Sequence, residues 1–165
     1  MPDWWPFKKK TEKAVRMQDI RAAEAALRQQ VAQQAAAGQS RQAIVKQLAA
    51  EMATLESQPP TPESRARLYA LDKVYAEQHA ALGENLQAGQ ALEMAGQVEE
   101  AIPFYETAVA DQIASRLPYE HLRSIYLRRQ QPDDARRICQ AALDNPFLDE
   151  KNQAHFRTWV EKLSI

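Results

Sequence analysis

The amino-acid sequence predicts an all-α protein, an array of antiparallel helix hairpins preceded by a helical extension on its N-terminal side. Three observations lead there. Glycine and proline are few, 4 and 9 residues in 165, and they fall in clusters, so the long stretches between them read as uninterrupted helices. Those stretches are rich in Ala, Gln, Leu, Glu and Arg, all good helix formers, and no alternating apolar–polar run marks a β-strand. Finally, the C-terminal half repeats itself with a period of 34 residues.

The elements follow in order from local signals. A first helix is expected from Glu12 to Ala37, with Met17, Ile20, Ala23, Leu27 and Val31 recurring at steps of three and four and Gly38 as its stop. Ser40 caps a second helix that carries Ile44, Leu48, Met52 and Leu55 on one face and ends before Gln58-Pro59-Pro60. Thr61 as cap and Pro62 in the first helical place start a third, with Leu68, Leu71, Val74 and Tyr75, which can continue past Gly83 towards Met94. After Ala81 the helices shorten and the punctuation becomes periodic.

Sliding the sequence by 34 residues brings Ala101 onto Ala135, Ala108 onto Ala142, Val109 onto Leu143, Leu92 onto Tyr126 and Glu100 onto Asp134. Gly96-Gln97 falls on Gln130-Gln131, each pair separating two helices of about a dozen residues, so the unit is a helix-turn-helix hairpin. Alanine at the four matched places lets helix backbones approach closely, while Leu92, Tyr105, Leu122 and Tyr126 fill the wider gaps. Residues 1–81 form the N-terminal extension, and residues 82–165 the periodic domain, with units 82–115 and 116–149 and a terminal helix over 150–165 capped by Asp149. Pro103 falls inside a helix, at a cost of up to about 3 kcal/mol unless the helix bends.

These residues resemble the tetratricopeptide repeat, whose 34-residue unit has an aromatic, a Leu-Gly pair, a tyrosine, an alanine and a second aromatic at set spacings. The second unit matches as Tyr119, Leu122, Tyr126 and Ala135; the first as Ala88-Gly89, Leu92, Ala101 and Tyr105. Asn85, Arg123 and Cys139 depart from the pattern. The resemblance implies a superhelix whose concave face takes a peptide or partner helix. Carried over residue by residue, that face is Leu86, Gln90, Glu93 and Met94 from the first unit, and Leu117, Glu120, Ser124, Leu127 and Arg128 from the second. The Lys, Arg and Asn clamp by which some members hold a C-terminal carboxylate is missing: Leu86, Gln90 and His121 stand in matching places.

Composition narrows the function. With 21 basic against 22 acidic residues the net charge is −1, so no basic excess favours nucleic acid. No GxGxxG, P-loop, HExxH or GxSxG motif occurs, so no catalytic residue and no cofactor is expected. Cys139 is the lone cysteine and is expected inside a helix–helix contact. His121 and His155 lie 34 residues apart on equivalent faces of neighbouring units, about a helix spacing of 8–10 Å apart, too far for one metal ion. The basic cluster Arg123, Arg128, Arg129, Arg136 and Arg137 reads as a solvated face. Trp4, Trp5 and Phe7 beside Lys8-Lys9-Lys10 have the chemistry of a lipid interface, but so short a segment is expected to pack on its own domain. The expectation is a cytoplasmic, non-catalytic protein-interaction module. The alternative is a homo-oligomeric scaffold, at simplest a homodimer, paired through the Ala- and Gln-rich helices of residues 12–57.

Overall fold

The computed structural model describes residues 15–164. Among them it forms seven helices and no strand: α1 (Met17–Ala36), α2 (Arg41–Glu56), α3 (Pro62–Met94), α4 (Val98–Ala110), α5 (Leu117–Arg128), α6 (Pro132–Leu143) and α7 (Glu150–Lys162). Most boundaries have a local cause. The Ser40 hydroxyl accepts a 3.3 Å hydrogen bond from the Ala43 amide at the start of α2. At α3 the Thr61 hydroxyl accepts from the Ser64 amide at 3.1 Å while the Ser64 hydroxyl accepts from the Thr61 amide at 2.8 Å, with Pro62 in the first helical place. The Asp149 carboxylate accepts from the Asn152 amide at 2.8 Å and opens α7.

The C-terminal ends of α3 and α5 share one device. After α3, Gly96 adopts a left-handed φ of +79°, and the amides of Gly96 and Gln97 return to the carbonyls of Glu93 and Leu92. After α5, Gln130 takes the equivalent conformation, φ +59°, and the amides of Gln130 and Gln131 return to Leu127 and Tyr126. The 34-residue match between the two turns is therefore a match of backbone geometry, even though the second lacks glycine.

One helix start differs from the expectation. Val15 and Arg16 are not helical and α1 begins at Met17, later than the expected Glu12; residues 12–14 lie outside the described chain. As the sequence allowed, α3 runs unbroken past Gly83 to Met94, 33 residues and about 50 Å, so one helix belongs both to the N-terminal extension and to the periodic region. Its first half packs on α1 and α2 and its second half on α4; α5 then packs on α4 and α6, and α7 on α6.

Three apolar clusters follow. Leu27, Val31, Ile44, Leu48, Ala70, Leu71 and Val74 fill the space between α1, α2 and the first half of α3. Val45, Leu82, Ala108 and Ile113 form a small junction. The largest cluster holds the C-terminal helices together around Tyr105, Tyr119, Tyr126 and Phe156, with Ala101, Ala135 and Ala142 fully buried among them. The extension is also stitched to the first hairpin by polar bonds: the Gln42 amide donates to the Asp111 carbonyl, and the buried Gln42 side chain accepts from the Ala114 amide at 3.2 Å. Among the described residues no helix is long and apolar enough to cross a membrane. The segment with Trp4, Trp5 and Phe7 lies outside the described residues.

Candidate partner-binding face

The end of α3 lies beside α5, and Glu93 ties the two together. Its carboxylate accepts from the Tyr105 hydroxyl on α4 at 2.8 Å, meets His121 Nδ1 on α5 at 2.6 Å and takes a longer bond of 3.4 Å from the exposed Arg128 guanidinium. The His121 ring stacks on Tyr105 with centroids 4.9 Å apart and planes 17° from parallel. Tyr105 reaches this position because Gly89, one turn before Glu93, has no side chain: a Cβ there would lie 2.7 Å from the Tyr105 ring. Gly89 and Tyr105 are therefore one steric unit in this chain.

The electrostatics follow from these contacts. Burial pushes the Glu93 carboxyl up, but the hydrogen bonds from Tyr105, His121 and Arg128 outweigh it and hold the group below the ordinary carboxylate value. Burial first, then the hydrogen bond to Glu93 and its charge, raise the Tyr105 hydroxyl, so it stays a proton donor. With Glu93 ionised it acts only as acceptor, which places the His121 Nδ1 proton between the two residues. Glu106 repeats the pattern one helix on, accepting from the Tyr126 hydroxyl at 2.6 Å and from Arg137 at 2.6 Å.

Around this fixed centre the expected face is placed unevenly. Gln90, Glu93, Met94 and His121 line an open recess of about 490 Å³. Met94 is 84% exposed, and Leu117, at the other end of α5, is 40% exposed. Ser124 and Gln90 are half-buried and Arg128 is exposed. Leu86 and Leu127, expected as apolar contacts of the face, instead lean on the C-terminal core and are partly buried. Glu120 is turned towards α7, where it lies 2.9 Å from His155 Nε2 and 4.0 Å from Arg116. Helical spacing assigns a residue to a face only to within about one residue step, 100°, and these three sit on the inward or lateral edge of that stripe.

Tyr105 was expected only as a filler between helices and His121 only in a clamp place, yet both orient the central carboxylate of the face. The 34-residue spacing of His121 and His155 was the available signal. It reflects repeated pairing, since each histidine meets a carboxylate from the preceding odd-numbered helix, Glu93 for one and Glu120 for the other. Among the described residues no group of three or more His, Cys, Asp or Glu side chains is gathered as a metal ion would require. Cys139 is fully buried and its thiol is pushed up to about 11 by burial, so it is protonated at neutral pH. The arginine cluster is dispersed into separate contacts: Arg128 on Glu93, Arg129 on Glu99, Arg137 on Glu106, and Arg123 stacked 3.9 Å over the Trp159 ring. Comparison of the chain with family models, with curated proteins and with solved structures gives no match.

Proposed function

We propose that the chain is a cytoplasmic, non-catalytic protein-interaction module of the tetratricopeptide-like kind, taking a peptide or partner helix along the face of α3 and α5. The observation that carries this reading is the exposure of Met94 and Leu117, two large apolar side chains held in water on rigid helices at opposite ends of one face. Between them the Glu93–Tyr105–His121 contacts hold polar groups in place before any partner arrives, which lowers the ordering cost of binding. The burial of all four repeat alanines at 0% exposure, and the Gly89–Tyr105 approach, support the family resemblance on packing grounds. Along α5 the span from Leu117 to Arg128 is about 16 Å, which suits apolar anchors three turns apart on an amphipathic helix or about five residues apart on an extended peptide. Arg128, exposed and only loosely held, favours an acidic residue at the Met94 end of the ligand.

The test is selection of peptides from a random displayed library with the wild-type chain, followed by affinity measurement on Met94→Asp/Leu117→Asp and on Phe104→Asp. Phe104 is 37% exposed on α4, away from this face, and serves as the control. Binding is expected to weaken by about tenfold or more in the double variant and to persist in Phe104→Asp. Failure to select any peptide, or equal binding by the double variant, contradicts the reading.

A further inference from the structure

The N-terminal end of the array carries an apolar surface that the α3/α5 face does not explain. Two open grooves lie side by side there, separated by Tyr69. One, of about 600 Å³, has Val15, Met17, Ile20 and Tyr69 among its lining; the other, of about 450 Å³, has Met52, Leu68 and Tyr69. Tyr69 is 62% and Met17 64% exposed, while Ala70 and Leu71, the next residues along α3, are fully buried. Glu56 and Asp72 line the second groove from exposed positions, and neither has an ion-pair partner among the described residues. Arg65 lines both grooves and Glu24 the first, so the surface has an apolar floor and a rim on which three carboxylates, Glu24, Glu56 and Asp72, outnumber one guanidinium.

One segment of this chain has the complementary chemistry and is tethered at the right place. Trp4-Trp5-Pro6-Phe7 is followed directly by Lys8-Lys9-Lys10, three aromatics and three cations with no acid among them. The described chain starts at Val15, which itself lines the first groove, so the tether delivers the segment to this surface at high effective concentration. Val15 lies ten residues after Trp5, a reach of up to about 33 Å. Three aromatic side chains can bury roughly 450–750 Å², enough to cover the exposed Tyr69 and Met17 side chains.

We propose that residues 4–10 dock on the chain's own N-terminal surface, with the aromatic side chains in the two grooves beside Tyr69 and the lysines against Glu56 and Asp72. Docked in this way the segment covers Tyr69 and Met17 and is withheld from lipid and from other copies. This inference does not rest on the binding face of α3 and α5, and either can fail alone.

The chain has three tryptophans, so Trp159→Phe in the full-length protein leaves Trp4 and Trp5 as the only indole reporters. Their emission is expected to be blue-shifted from that of free tryptophan, and their quenching by acrylamide several-fold weaker than after further substitution with Tyr69→Asp or Met17→Asp. Both substituted positions are exposed, so helical circular dichroism should be unchanged in each. The shielding should not depend on protein concentration, and Lys8→Glu/Lys9→Glu/Lys10→Glu should reduce it. Water-exposed emission in the Trp159→Phe protein, or shielding indifferent to both groove variants, overturns the proposal. Shielding lost on dilution assigns the segment to a second copy, and shielding seen only with anionic phospholipid vesicles assigns it to a lipid surface; each of these also overturns it.

Discussion

The two halves of α3 are held by different kinds of packing. Around its first half the core is Leu27, Val31, Ile44, Leu48, Leu71 and Val74, side chains without a single polar atom. Around its second half the core is built on Tyr105, Tyr119 and Tyr126, and each hydroxyl has a fixed partner: Glu93 at 2.8 Å, Asn145 at 2.9 Å and Glu106 at 2.6 Å. Aliphatic burial is strong and non-directional, whereas a hydrogen bond across two helices sets their register. The candidate face lies where register is set. The ion pairs around the first core, Arg28–Glu77, Lys73–Glu24 and Arg67–Glu51, run along its water-facing edge, where solvent screens them.

The largest expected effect tests the aliphatic side. Leu71 is fully buried, and Leu71→Ala should cost about 2–5 kcal/mol in denaturant unfolding. Because α3 is continuous, one transition is expected by both circular dichroism and, in a Trp4→Phe/Trp5→Phe background, Trp159 fluorescence; two separated transitions would mean that the cores unfold independently. On the polar side, Asn145 is fully buried and donates to the Ile113 carbonyl at 3.0 Å and to the Tyr119 hydroxyl, while its own oxygen accepts from the Phe147 amide at 2.9 Å. Asn145→Ala leaves those groups unpaired and should cost about 1–3 kcal/mol by the same measurement.

Two mid-helix glycines of α3 sharpen the contrast further. Alanine favours helix over glycine by up to about 1 kcal/mol, and a Cβ at Gly83 meets nothing nearer than the mobile end of Gln87 at 3.7 Å, so Gly83→Ala should raise stability by up to that amount. At Gly89 the same change drives a Cβ into the Tyr105 ring, and the net result should be a loss of about 1 kcal/mol or more with weaker peptide binding, since Tyr105 positions Glu93. Equal gains at both positions would refute the close approach of α3 and α4.

The smallest effect is one of pH. Glu93 and Glu106 have folded-state values below their ordinary 4.5, in each case because hydrogen bonds overcome the upward push of burial. A depressed carboxyl stabilises the fold above its unfolded value, and that contribution disappears as pH falls from near 4.5 through the folded value. Asp111 runs the other way: burial raises it against the pull of Arg41, so its protonation offsets part of the loss. Urea midpoints should fall as pH drops below about 4.5, and Glu93→Gln should flatten that slope.

Much of this fold was legible from residues because its signals are local. Ser40, Thr61 and Asp149 cap the helices their side chains can reach within three residues, and Gly38 and Gly96 stop helices by accepting a left-handed backbone. The matched alanines needed only the period. Continuity through Gly83 was left open, since a glycine there weakens the helix and only packing on α1, α2 and α4 holds it straight. The face was half legible. Gln90, Glu93 and Met94 are near neighbours on one helix and line one recess, and Arg128 reaches Glu93, but the inward lean of Leu86 and Leu127 and the stacking of His121 on Tyr105 depend on how α3, α4 and α5 cross. No one-dimensional spacing encodes that crossing.

The most direct measurement is an amide chemical-shift map of the ¹⁵N-labelled full chain titrated with the tightest library-selected peptide. Shifts concentrated on Gln90–Met94 and on the face of α5 from Leu117 to Arg128, with α1, α2 and α6 silent, are the result the account predicts. Shifts confined to α1 and α2, or spread over α4 and α6 with Met94 and Leu117 unmoved, would contradict it.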